Sequence, residues 1–242
     1  MGRTGHPRLG HTSANARPKM SVGVSTLASA LSRSSFLAGL GRDTRQELAA
    51  HAHRRTFDAG EIIVLAGEPT RAFLLIARGQ VRSQRLSQQG REYVLYTLGP
   101  GECFNLASTL DGGHNLATVS ALAPTVTYSI PVDLFRDLLR RYPELSTAAL
   151  GHLTDQVRRL SDAVESLALH SVRTRLARCL LSQANISPSP ITQHEIAAQI
   201  GTVRDVVGRT LRTFSREGLI RRERGQVVVI DPAGLQREAM FA

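Results

Sequence analysis

Between Phe57 and Pro131 the chain divides its apolar residues into runs too short for helices and separates them with glycines, a texture few architectures accept. The runs are "EIIVLAGE", "AFLLIARGQVRSQRL", "REYVLYTLGPGE", "ATVSAL" and "TVTYSIP", punctuated at Gly60, Gly67, Gly79, Gly90, Gly99 and Gly101. Short strands separated by turn signals predict an all-β sandwich or barrel. "QQGRE" at 88–92 predicts a hairpin turn, with glycine supplying the positive φ.

On either side the texture changes. Residues 1–27 are rich in Gly, Ser, Thr, Pro and Arg with little apolar periodicity, which predicts a disordered basic tail. "RDTRQELAAHAHRRTF" follows as a short helical stretch with Leu48 and Ala49 inward. After "SIPVD" the period lengthens, and "VDLFRDLLRRY" has helical spacing. Beyond Pro143, Leu150, Leu153, Val157, Leu160, Val164 and Leu167 recur in alternating steps of three and four, which places them on one seam. Such a stripe can pack on the chain's own β domain, but a long helix with a narrow seam favours pairing with a symmetry mate, hence a homodimer. "SVRTRLARCLLSQA" then forms a helix, and the Ser/Pro-rich "NISPSPI" connects it to the last segment. The expected organisation is a tail (1–27), a β domain with flanking helices (28–142), a dimerisation helix (143–169), a bihelical domain (170–235) and a C-terminal tail (236–242).

The stretch "TQHEIAAQIGTVRDVVGRTLRTFSREG" carries the strongest local signal. Thr192 can cap a helix bearing Ile196, Ala197 and Ile200. Gly201 can then turn the chain into a second helix whose Val206, Val207, Leu211 and Phe214 face inward. The hairpin around "RERGQ" adds a wing. Arg204, Asp205 and Arg209 fall on the outward face near the N-terminal half of the second helix, the part that enters the major groove in a helix-turn-helix. Arginine there can grip guanine O6 and N7 with two hydrogen bonds, and a carboxylate can accept from cytosine N4. Arg212, Arg216, Arg221, Arg222 and Arg224 are placed to meet phosphates, and Thr192 and Thr202, at helix starts, can add phosphate contacts. The plainer alternative is that Asp205 and Arg209, at i and i+4, only pair with each other.

The total charge is better read as arginine enrichment from genomic base composition, and it is its distribution that hints at a double-stranded DNA partner. Net charge is +10, and Lys19 is the one basic residue that is not arginine. Residues 171–242 hold eleven arginines against six acids. Apolar runs stay below the ~18 residues that span a bilayer, and the basic N-terminus lacks the apolar segment of an export signal, so a cytoplasmic protein without membrane association is expected. Two cysteines, Cys103 and Cys179, are too few for a disulfide framework or a four-cysteine iron–sulfur site. No nucleophile motif or metal-ligand cluster stands out, and "GPGECF" lacks the last glycine of a dinucleotide fingerprint, so an enzyme is not expected.

Taken together, "FDAGEIIVLAGEP", "LLIARGQVR", "LGPGECF" and "ITQHEIAAQIGTVRDVVGRTLRTFSREGLI" resemble the Crp/Fnr family of bacterial transcription regulators over about residues 30–232. The resemblance implies an α+β chain: an N-terminal double-stranded β-helix (jelly-roll) sensor domain, a long dimerisation helix and a C-terminal winged helix-turn-helix. It also implies a homodimer on a palindromic operator, with half-sites about one helical turn (~34 Å) apart. RNA polymerase is a further candidate partner. Arg204, Asp205 and Arg209 match the family's base-reading positions, the second of which is often glutamate.

The ligand cassette departs from that pattern. Cyclic-nucleotide-binding members follow "GExF" with glycine and glutamate and place an Arg-Ser or Arg-Thr pair before an alanine. Here Asn105 and Leu106 replace the first pair, and Asn115 and Leu116 precede Ala117 in place of the second. A buried phosphate without its cation is costly, so neither cAMP nor cGMP is expected, and no other cofactor is identified. If an effector binds, the expected pocket lies among Leu106, Asn115, Leu116 and Leu160. The alternative is a cyclic-nucleotide-responsive regulator, or a haem-based one using Cys103 or His114. The plainer reading makes those two residues, with His152 and His170, structural or solvent-facing.

Overall fold

The computed structural model describes residues 24–186, 192–223 and 226–240. Eight strands build the N-terminal half: β1 (His53–Phe57), β2 (Ile62–Val64), β3 (Ala72–Arg78), β4 (Val81–Leu86), β5 (Glu92–Leu98), β6 (Cys103–Phe104), β7 (Thr118–Ala121) and β8 (Thr125–Pro131). They form two four-stranded antiparallel sheets, ordered β1-β8-β3-β6 and β2-β7-β4-β5. Phe57, Leu74, Ile76 and Phe104 from the first sheet meet Ile63, Val81, Leu98 and Val119 from the second, so the core of the roll lies between the sheets. β3 is buried on both faces. Its outward Phe73, Leu75 and Ala77 join a second core with helices α1 (Val24–Arg33), α2 (Arg42–Ala50) and α4 (Val132–Arg141).

Two expectations at the N-terminal side are corrected. Residues 1–23 lie outside the described residues, but Val24–Arg33 is a helix, so the tail boundary at 27 falls inside it. Leu27, Ala30 and Leu31 recur at helical spacing and are buried on that second core, which supplies the burial the composition concealed. The segment 42–57 is not one helix. It breaks at His51, and polar "HRRTF" becomes β1 because β8 offers a complete antiparallel register from His53↔Ser129 to Phe57↔Thr125. A further short helix, α3 (Leu106–Asp111), follows β6.

Helix α5 (Pro143–Leu169) has 27 residues, about 40 Å of rise, and begins with proline at its first turn, where no intrahelical N–H is lost. Leu145 and Ala149 are buried on the β domain, and Leu153 is half-buried against the same core. The rest of the seam, Leu150, Val157, Leu160, Val164 and Leu167, is exposed, with Val157 and Val164 each at 65%. Leu153 therefore serves the chain's own core and Leu167 lies against Gly201, while Leu150, Val157, Leu160 and Val164 present an exposed apolar stripe.

The C-terminal half comprises α6 (Val172–Ile186), α7 (Gln193–Ile200), α8 (Arg204–Arg216), β9 (Ile220–Glu223), β10 (Gln226–Val229) and α9 (Pro232–Met240). The connector residues 187–191, and Arg224 and Gly225 at the wing tip, lie outside the described residues. Leu176, Ile196, Val207, Leu211, Phe214 and Leu235 form its core. Within the expected tail 236–242, residues 236–240 are the second half of α9, seated by fully buried Leu235 and by Arg173 on α6, and residues 241–242 lie outside the described residues. The Arg173 guanidinium donates to Glu238 (2.8 Å) and Glu217 (3.1 Å) and lies 4.8 Å from the Phe214 ring centroid.

Hydrogen bonding from Arg173 holds the Glu238 carboxyl below the usual glutamate range. A depressed carboxyl stabilises the fold above its unfolded pKa, and that contribution is lost as pH falls through the folded value. Arg173→Met is expected to cost about 1 kcal/mol, allowing for solvent screening, or ~4–8 °C in the melting of a domain this size. It should also flatten the loss of stability on acidification below pH ~4.5. Calorimetry across pH checks both.

Candidate nucleic-acid interface and the β-roll pocket

The C-terminal site is assembled from two helices and a turn. Thr192 caps α7 reciprocally: its hydroxyl accepts from the Glu195 N–H (3.2 Å), and its own N–H donates to Glu195 Oε2 (2.8 Å). That backbone bond leads the causes that hold Glu195 below the ordinary carboxylate range. The Thr192 hydroxyl is thus engaged within the cap. Gly201 takes φ +67° and, with Thr202, donates its N–H to Ala197 O, closing α7. Thr202 is half-buried and one residue short of the helix start expected for it. Val203 is the N-cap residue of α8 and makes no side-chain cap.

Along α8, Val207, Gly208, Leu211 and Phe214 are buried and Val206 is half-buried, while Arg204, Asp205, Arg209, Arg212 and Arg216 are exposed. The burial follows the helical period, since an apolar stripe on α7 and α6 leaves only the opposite face for charge. Among the described residues, neither Asp205 nor Arg209 makes an ion pair with the other, so the i, i+4 pairing is absent. Two open grooves share Arg209 and Arg212. One continues to Arg204, Asp205 and Gln193, the other to Arg216 and Arg222. Arg222 is exposed on β9 beside them, whereas neighbouring Arg221 is paired with Glu223 (2.6 Å). Sequence reasoning missed Gln193. Its side chain lies over Gly208, where a Cβ would come within 3.1 Å of its Oε1, so glycine lets α7 and α8 approach.

In the β-roll, Asn105 adopts φ +67°, the left-handed conformation that glycine accepts most readily and asparagine tolerates. Its Nδ2 donates to Asn115 Oδ1 (2.8 Å), which also accepts from Thr70 Oγ1 (2.8 Å), and Asn115 Nδ2 donates to Leu65 O (3.0 Å). The buried Asn115 side chain thus has its oxygen and one amide hydrogen engaged by protein. The neighbouring cavity holds about 30 Å³, room for a water or two by the ~10–15 Å³ each needs and far below the ~300 Å³ where small-molecule pockets begin. Tyr96, Leu106, Leu116 and Gln156 line it, and none of its lining side chains is charged. Leu116 stands at its rim, 57% exposed. Asn115, expected in the pocket, stands behind Asn105 and does not line the cavity, and Leu160 does not reach it. One turn earlier on α5, Gln156 takes that place, so this part of the expected pocket is corrected.

The haem candidates are not brought together. His114 is exposed, while Cys103 is buried with Sγ 3.5 Å from His152 Nε2. Burial pushes the Cys103 thiol far up and the His152 imidazole down, so a protonated thiol faces a neutral ring. His170 contacts Arg178 through both ring nitrogens.

Comparison with known proteins assigns these two halves. The cyclic nucleotide-binding domain model matches residues 54–142, and the Crp-like helix-turn-helix domain model matches residues 174–238. The cyclic AMP receptor protein of Thermus thermophilus is 31% identical over 204 residues, 83% of this chain and 94% of that protein. The chain belongs to the Crp/Fnr family of transcriptional regulators. A CRP-like cAMP-activated global transcriptional regulator of Mycobacterium tuberculosis is 27% identical over 219 residues, covering 86% of this chain and 98% of its own. The fold matches a crp/fnr-family regulator from Eubacterium rectale with a TM-score of 0.77 at 22% identity, over 86% of this chain and 99% of that one. This Crp/Fnr regulator thus keeps the family's β-roll, long helix and helix-turn-helix, while its β-roll pocket lacks the cationic and acidic side chains of the cyclic-nucleotide cassette.

Proposed function

We propose that this Crp/Fnr regulator is a cytoplasmic homodimer that binds a palindromic duplex operator, inserting the N-terminal half of α8 from each protomer into successive major grooves. The observation that carries this reading is the exposed face of α8, where Arg204 and Arg209 stand free of ion pairs among the described residues. Arg204, Asp205 and Arg209 are assigned to base edges, and Arg212, Arg216 and Arg222 to phosphates. Thr202 is assigned a backbone phosphate contact, and Thr192 one through the helix it caps. The exposed stripe on α5 supports the dimer, and RNA polymerase is the partner expected on the remaining surface. No helix among the described residues is long and apolar enough to cross a membrane. Fluorescence anisotropy tests the reading: affinity for mixed-sequence duplex should fall steeply as salt rises, from counterion release. Salt-independent binding, or none, would refute it.

Neither cAMP nor cGMP is assigned as its signal. The relatives named for cAMP share only about three residues in ten with this chain. Asn115 is held by Thr70, Asn105 and Leu65, and no cation lines the small cavity beside it. Calorimetric titration with either nucleotide at up to millimolar concentration is expected to give no saturable heat and no change in operator affinity. A micromolar isotherm would favour the cyclic-nucleotide reading instead.

A further inference from the structure

The helix-turn-helix is seated on the sensor domain of its own chain by contacts that local sequence does not announce. Gly201, the turn glycine, presses against that domain: a Cβ there would lie 2.6 Å from Leu167 Cδ2 at the end of α5 and 3.2 Å from Tyr93 Cε2 on β5. Two α7 turns earlier, His194 Nε2 lies 3.3 Å from Glu92 Oε2, and the largely buried Glu92 side chain also has Arg82 Nε 3.9 Å away. The β4–β5 hairpin and the last turn of α5 thus form a seat for α7 and the turn. Helices α7 and α8 share one buried core and close on each other at Gln193 and Gly208, so the seat under α7 also sets the position of α8. Arg204, Asp205, Arg209 and Arg212 remain exposed while the unit is seated, so the seat does not cover the DNA face.

We infer that Glu92 and Tyr93 are positioning residues that fix the separation of the two recognition helices, so that the regulator selects operators by half-site spacing as well as by base sequence. The inference rests on the dimeric DNA-binding reading above. Each added base pair moves a half-site by about 3.4 Å along the duplex and rotates it, so helices held rigidly match one spacing and helices held loosely match several. Beside the seat, an open groove of about 440 Å³ separates β5, α5, α6 and α7, so the packing there rests on the Glu92, Tyr93 and Leu167 contacts. A loosely held pair also loses the gain of simultaneous engagement at the best spacing, since that gain depends on geometry being fixed in advance.

The test uses full-length protein and operators whose half-site sequence is constant while the spacer is shortened or lengthened by one or two base pairs. Tyr93→Ala and the near-isosteric Glu92→Gln are compared with wild type, together with His194→Ala and with melting curves for each. Expected is a ~10-fold loss of affinity at the preferred spacing, a flattened preference among spacers, and unchanged affinity for an isolated half-site. The same spacer profile in properly folded Glu92→Gln and Tyr93→Ala proteins would overturn the inference while leaving DNA recognition intact. A wild-type protein that selects no half-site at all would instead defeat the underlying DNA reading, and this one with it.

Discussion

Val157→Asp combined with Val164→Asp is expected to leave a folded monomer that no longer holds a two-half-site operator. Both valines are 65% exposed and so make little of the protomer's own core. A buried aliphatic side chain contributes about 1.5–3 kcal/mol, and each is counted twice across a two-fold axis. The variant loses that burial and places four carboxylates in an apolar seam, where an unpaired charge is costly. The dimer dissociation constant should rise by ~10³-fold or more, at one decade per 1.4 kcal/mol. Sedimentation velocity at micromolar concentration should show a single monomeric species with unchanged far-ultraviolet circular dichroism. Leu153→Asp provides the contrast. Leu153 packs on the β-domain core, so its loss should lower the melting temperature of the fold itself. A Val157/Val164 variant that sediments as an intact dimer would remove the seam from consideration.

Arg209→Ala should cost operator affinity and relax selectivity at one symmetric pair of positions. A bidentate arginine–guanine pair discriminates by roughly 1–3 kcal/mol, about 5- to 150-fold at one decade per 1.4 kcal/mol, and the dimer contains two. Arg222→Ala behaves differently if it meets only phosphate: operator and random duplex weaken alike, and the salt slope falls by about one for each phosphate no longer neutralised. Anisotropy titrations of both variants on operator and scrambled duplex, at several salt concentrations, separate the roles. Equal losses on specific and random DNA for both would contradict the assignment of Arg209 to a base.

The residues that made the C-terminal site legible are those whose signals are local. Thr192 and Glu195 sit three apart in a capping box, Gly201 holds the turn, and Val207, Leu211 and Phe214 keep the helical period. A periodic stripe needs no distant partner to be recognised. The glycine-punctuated runs of the β-roll were legible for the same reason. What escaped depended on residues far apart in the chain. Polar β1 exists because β8 pairs with it across 76 residues at His53 and Ser129. The tail that proved to be α9 is held by Arg173 reaching Glu238, 65 residues away, and the seat beneath the turn joins Glu92 to His194 across 102. At the pocket, the choice between Leu160 and Gln156 turned on the placement of a long helix against the roll, and one turn of α5 separates the expected residue from the observed one. Thr202 was displaced by a single residue, since Gly201 N–H and Thr202 N–H both finish α7 before α8 begins.

Selection of binding sites from random duplexes by the full-length protein tests most directly whether α8 presents its guanidinium groups, twice over, to DNA. The expected outcome is one enriched motif of two inverted half-sites centred about one helical turn apart, with Arg209→Ala erasing the preference at one symmetric base pair in each. Recovery of sequences no different from the starting pool, or of a single element without two-fold symmetry, would contradict it.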